Sequence, residues 1–161
     1  MKKTNMRAGF TMIELIFVIV IIGILAAIAM NKLSATRDDA KISQIIANSK
    51  TFVNDVKAFY TSQGIHKYES ANIGDVTDVP LYDSNCTALP IASTKVENNG
   101  TSFHLCANGT PIVKIDTNRT HITVSSEDNT TSVGKAVSSN SAFKAIAKSV
   151  RLGGAGVNFG N

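Results

Sequence analysis

The sequence predicts an α+β protein in which one long N-terminal helix packs against a small antiparallel sheet. Three observations predict it. Leu15 to Met30 is an apolar run without a charged side chain. Apolar residues then recur at helical spacing from Ile42 to Tyr60, and strand-like alternation occupies residues 101–126.

The apolar run comes first. Counted from Phe10 to Met30 it has 21 residues, roughly 31 Å of helix, which matches the thickness of a bilayer's hydrocarbon core. Beyond it, Ile42, Ile45, Ile46, Ser49, Phe52, Val53, Val56, Phe59 and Tyr60 fall three and four apart, the stripe of an amphipathic helix. "TSQG" (61–64) places Gly64 just past the last turn, so a single helix over 10–63 is expected. Its first half is apolar all round and suits lipid. Its second half is apolar on one face and suits a globular partner.

Residues 65–100, with Pro80, Pro90 and many Asp, Asn and Ser, read as irregular. "TSFHLC" (101–106), "IVKID" (112–116) and "HITVSS" (121–126), joined by "NGTP" and "TNRT" turns, predict a three-stranded meander. A short helix is expected over 141–152 after Asn140 or Ser141, and "GVNFG" at the end reads as a further strand. Cys86 and Cys106 fit no zinc spacing and, in an exported chain, read as one disulfide.

Charge and side-chain chemistry exclude several functions. The net charge of +4 is concentrated before Gly9, in Lys2, Lys3 and Arg7. The remainder carries thirteen basic and twelve acidic residues, so bulk charge does not favour nucleic acid. His66, His104 and His121 are scattered, and no Ser/His/Asp or Cys/His set has local support. "GGAG" (153–156) lacks the lysine of a phosphate loop, and the acids at 75, 78, 83, 127 and 128 lack EF-hand spacing. Neither an enzyme nor a resident cofactor is expected.

The N-terminus poses the sharpest question. A cleavable secretory signal accounts for the basic leader and offers "AIA" (27–29) as a cleavage site; an uncleaved anchor accounts for the length. Neither gives Glu14 a role at the head of the apolar run, where a carboxylate costs about 2.5–3.5 kcal/mol on insertion scales. The order "RAGFTMIEL" (7–15) followed by a long apolar helix resembles the type IV prepilin signature shared by type IV pilins and type II secretion pseudopilins.

That resemblance implies a chain of consequences. A membrane peptidase removes residues 1–9 between Gly9 and Phe10 and N-methylates Phe10. Residues 10–30 remain as transmembrane anchor and later as filament core, 31–63 continue the helix, and 64–161 form a periplasmic or extracellular head. The partners implied are other copies of the chain or related pilins, the prepilin peptidase, an inner-membrane assembly platform, and lipid before assembly. Glu14 then gains a role: its carboxylate pairs with the amine that cleavage creates at Phe10, within the chain or on the subunit above, and sets axial register. Gly23 matches the family's helix-weakening glycine. Asn31 stands where a proline commonly follows, so the helix need not kink there. The disulfide and small sheet suit a pilin head.

Two filament systems fit. The cysteine pair and possible glycans favour an extracellular pilin; Asn31 and the modest head favour a pseudopilin or minor subunit. The rival from another class is a soluble periplasmic binding protein starting near Met30.

One pattern in the head stands apart. Asn85, Asn99, Asn108, Asn118 and Asn129 each begin an N-x-T triplet, and four of them carry an acid two positions earlier: "DSNCT", "ENNGT", "DTNRT" and "EDNTT". Acids are about one residue in thirteen here, so chance would give fewer than one such match. The pattern resembles the extended acceptor D/E-x-N-x-S/T of bacterial N-linked glycosylation, and marks Asn85, Asn99, Asn118 and Asn129. Turn chemistry, which gathers Asp, Asn and Thr, is the competing explanation.

Overall fold

The structure, a computed structural model, describes residues 9–97 and 102–153. The leader residues Lys2, Lys3 and Arg7, the acceptor Asn99 and the "GVNFG" segment lie outside these residues. The chain divides into two compact units, Met1–Arg37 and Asp38–Asn161. Helix α1 (Met12–Ser70) contributes to both.

In the first unit, every large apolar side chain from Phe10 to Leu33 is exposed. The helix is long and apolar enough to cross a membrane, and its most apolar stretch is wholly unburied. Residues 23–31 are helical, as a chain without proline there permits.

In the second unit, the apolar stripe of α1 forms one wall of the core. Ile45, Phe52, Val53, Val56 and Tyr60 are buried, and the Ser49 hydroxyl satisfies itself by donating to the Ile45 carbonyl at 2.8 Å. Strands β1 (Phe103–Ala107), β2 (Thr110–Thr117), β3 (His121–Ser126) and β4 (Ser149–Arg151) form an antiparallel sheet in the order β1-β2-β3-β4. Phe103, Leu105, Val113, Ile115, Ile122 and Val124 join the same core as the α1 stripe. Phe52 and Phe103 meet edge to face, with centroids 6.2 Å apart. The β1–β2 turn holds Asn108 and Gly109 at φ 54° and 75°, the left-handed pair that a two-residue hairpin requires.

The elements depart from the expected ones in three places. Gly64 has φ 77° and ψ 174°, a backbone conformation open essentially to glycine alone, yet helical backbone resumes beyond it and α1 ends at Ser70. The glycine bends the chain and does not end the helix: buried Tyr68 packs edge to face on Tyr60 across it, with centroids 5.4 Å apart. Residues 65–97 are therefore less irregular than composition suggests, with a one-turn helix, α2 (Ile73–Val76), seating buried Ile73.

The expected helix over 141–152 is α4 (Ser141–Ile146) followed by β4. Asn140 caps α4 by accepting from the Ala142 and Phe143 N–H groups. After Ala147 the apolar spacing falls to two, Val150 then Leu152, and Val150 pairs with Ile122 as a fourth strand.

Helix α3 (Ser132–Ser139) has no counterpart in the sequence reading. Thr131 caps it, its hydroxyl accepting from the Gly134 N–H at 3.1 Å. Asp128 lies against the same turn, accepting from the Thr130 N–H (2.8 Å), the Thr130 hydroxyl (2.7 Å) and the Thr131 hydroxyl. These bonds, Thr131's first, hold its carboxyl well below the usual carboxylate range. A Cβ on Gly134 would stand 2.4 Å from both the Asp128 carbonyl oxygen and its Oδ2. Gly134→Ala should therefore destabilise the head by about 1–3 kcal/mol, the usual cost of overpacking. Urea unfolding of the purified chain in detergent reads this; an unchanged midpoint would contradict it.

Candidate processing and assembly site

The N-terminal site is built by the first turn of α1. Thr11 has not entered the helix, and Met12 is its first helical residue, which puts Glu14 at the third helical position. The Thr11 N–H and the Thr11 hydroxyl both donate to Glu14 Oε2, each at 2.7 Å, and the Glu14 N–H donates back to the Thr11 hydroxyl oxygen at 3.3 Å. This is a capping box: two backbone donors that the helix start leaves unpaired are satisfied reciprocally.

Two consequences bear on processing. Both donors to Glu14 sit on Thr11, so breaking the Gly9–Phe10 bond leaves the cap intact. The cap also uses only Oε2; Oε1 makes no hydrogen bond among the described residues, and remains available to a cation. Phe10, Leu15, Phe17 and Val18 line an open apolar hollow beside the exposed Glu14.

The sequence reading began the helix at Phe10, with Glu14 one turn on. The structure differs, because the helix begins only at Met12 and the carboxylate turns back to Thr11. Thr11 was missed as a site residue. Its signal was present as "TMIE", a Thr-x-x-Glu pattern ahead of an apolar run.

Gly9 and Gly23 share a negative property. A Cβ at either would meet nothing within 4 Å, and neither has positive φ. The fold of the single chain does not account for glycine at these positions.

Residues 4–30 match the family model described as the prokaryotic N-terminal methylation motif. The chain carries the type IV pilin and pseudopilin signature. That signature marks structural subunits, and in general terms implies processing by a prepilin peptidase and polymerisation. No curated protein and no solved structure matches the chain. An anchoring helix and an α+β head are thus joined to a pilin-type N-terminus.

The head of this pilin-like chain places the remaining sequence candidates. Cys86 and Cys106 are bonded, their Cα atoms 5.9 Å apart. Cys86 sits at φ 59° in a turn that Asp83 organises, and Cys106 lies at an irregularity in the β1–β2 pairing. Tyr82 bridges to both Ala88 and His104, so the disulfide clips the 82–88 loop to the edge strand. His104 is buried and its Nδ1 lies 2.6 Å from Glu127 Oε2, an internal pair. His121 Nδ1 is 2.7 Å from the Thr120 hydroxyl. Among the described residues no three His, Cys, Asp or Glu side chains converge as a metal would need.

Asn85, Asn118 and Asn129 are exposed on turns or loops. Asn118 closes the β2–β3 turn, its Oδ1 accepting from the N–H groups of Thr120 (3.0 Å) and His121 (2.7 Å). Asn108, the one acceptor triplet without a preceding acid, takes a left-handed conformation, and its Oδ1 accepts from Lys41.

Proposed function

We propose that the chain is the precursor of a filament subunit, cut between Gly9 and Phe10, N-methylated at Phe10 and polymerised through its N-terminal helix. The observation that carries this reading is the methylation motif over residues 4–30 heading a helix whose large apolar side chains are all exposed as far as Leu33. Such a surface needs lipid, or neighbouring helices that replace lipid. In the inner membrane the bilayer covers residues 10–30, with the basic leader on the cytoplasmic side and the head in the periplasm. In the filament, copies of the chain or related pilins take the lipid's place, delivered by an inner-membrane assembly platform.

Glycine at position 9, which the fold does not require, suits recognition by a prepilin peptidase. Glu14 supplies register: its free Oε1 accepts from the amine of Phe10 on the adjoining subunit while Thr11 holds Oε2. Lateral apolar packing tolerates sliding, whereas a carboxylate left without its cation in an apolar core is heavily penalised. Gly23 loosens the helix where subunits pack. The filament is a periplasmic pseudopilus or an extracellular pilus, and the head determines what it touches.

Cell fractionation of wild type beside Gly9→Val tests the reading. Wild type should lose residues 1–9 and enter a sheared or sedimenting filament fraction. Gly9→Val should keep the leader and stay in the inner membrane. A wild-type chain found as a soluble periplasmic monomer would contradict the proposal.

A further inference from the structure

We propose that the head is N-glycosylated at Asn85, Asn118 and Asn129, and that the acid two residues before each asparagine is part of the recognised acceptor. The proposal needs the head to be exported, and to that extent rests on the reading above. Asn99, which shares the pattern, lies outside the described residues.

Turn chemistry is the explanation to beat, and it makes a structural demand. If Asp, Asn and Thr cluster only because turns favour them, each acid should close the turn of its own asparagine. Asp83 does so: its Oδ1 accepts from the Asn85 N–H at 2.9 Å and the Thr87 N–H at 2.8 Å. Asp116 does not. Its carboxylate accepts from the Ser102 hydroxyl at 2.6 Å and faces Lys114 at 3.4 Å. Nor does Glu127, which pairs with His104 across the sheet. Two of the three acids have contacts that would be served equally well without an asparagine two residues on. Folding therefore does not account for the shared spacing.

Asn108 is an internal control. It begins a triplet and lacks the acid, yet it is exposed like the other three, with only its Oδ1 engaged, by Lys41. Asn85, Asn118 and Asn129 are exposed, and their side-chain nitrogens, like that of Asn108, make no hydrogen bond among the described residues, so the acid is what separates them from the control. Those nitrogens are the groups that would react.

The donor is a sugar joined through its anomeric carbon to a lipid diphosphate, and a transferase brings the two together. The amide nitrogen attacks the anomeric carbon, a C–N bond forms, and the bond from that carbon to the diphosphate oxygen breaks. The lipid diphosphate leaves with the bonding pair, and one amide proton passes to a base on the transferase. No electron donor or acceptor is needed. The preceding carboxylate offers a charge for a cationic group of the transferase to read.

The test is the mass of proteolytic peptides from the full-length protein purified from its own host. Peptides containing Asn85, Asn118 and Asn129 should be heavier than their polypeptide mass by one common sugar increment, and the Asn108 peptide should not. In Asp116→Asn, which keeps an oxygen for Ser102, the Asn118 peptide should return to polypeptide mass while the Asn85 peptide stays modified. Unmodified head peptides alongside a processed N-terminus would overturn the proposal while leaving the filament reading intact. An increment that survives Asn118→Gln and resides on Ser or Thr would overturn it, as would full modification of Asn118 in Asp116→Asn.

Discussion

Glu14→Gln should be cleaved and methylated normally yet fail to assemble, with filament yield reduced about a hundredfold or more. The substitution keeps an oxygen that can accept from Thr11, so the capping box can persist, and it removes the charge. If Glu14 pairs with a neighbour's Phe10 amine in an apolar core, the loss strands that amine, and breaking a buried pair costs about 3–5 kcal/mol. At roughly 1.4 kcal/mol per tenfold, that exceeds two decades in the equilibrium for adding a subunit.

Thr11→Val separates the two roles. It deletes the hydroxyl and keeps the N–H, so only the cap is weakened, by about 0.5–2 kcal/mol. Its filament yield should stay within about thirtyfold of wild type. Quantifying sheared filaments from the three strains reads this difference. Equal losses in Thr11→Val and Glu14→Gln would reduce Glu14 to a helix cap.

Replacing both cysteines, Cys86→Ala with Cys106→Ala, should lower the head's stability by about 3 kcal/mol. The figure follows from releasing a loop spanning 20 positions in the unfolded chain. For a unit of this size the melting temperature should fall by roughly 10 °C. The effect has a place as well as a size. Cys86 holds a left-handed conformation that alanine adopts reluctantly, and the 82–88 loop would keep the backbone bonds between Tyr82 and His104 on β1 (2.9 and 3.0 Å). Protection of the His104 amide against hydrogen exchange should weaken with the melting temperature. A shift under about 2 °C would mean that the Asp83 turn and the Tyr82 pairing suffice without the bond.

The features legible in the sequence were those with a long period. Twenty-one apolar residues, a stripe from Ile42 to Tyr60, and three alternating segments each repeat their signal often enough to outweigh local exceptions. The core residues of α1 and of β1 to β3 follow from that repetition. Short elements gave less to read. Helix α3 has eight residues, among them Gly134 and several serines, and its start depends on an Asp128–Thr131 network that forms only when the chain turns. Strand β4 has three residues and exists because β3 offers Ile122 as partner, a long-range pairing without local period. Gly64 was read as the end of the helix; its backbone does leave helical geometry, but the helix resumes to Ser70 as Tyr68 packs on Tyr60, which is tertiary packing.

The candidate processing site was legible for a different reason. It is linear, and Gly9, Phe10 and Glu14 are adjacent in the chain before they are adjacent in space. What escaped notice there was Thr11. The capping box and the proposed register role use the same carboxylate, and the sequence reading stopped at the second. The acids of the head show the reverse case: their common spacing was visible in the sequence, whereas their separate contacts with Ser102, Lys114 and His104 needed the fold.

The central claim is that this chain becomes a processed filament subunit, and the mass of its N-terminal peptide from the native host tests it most directly. The account predicts a terminus at Phe10, one methyl group heavier than the unmodified residue. A terminus at Met30, or a chain still beginning at Met1, would contradict it and return Glu14 to the role of a helix cap.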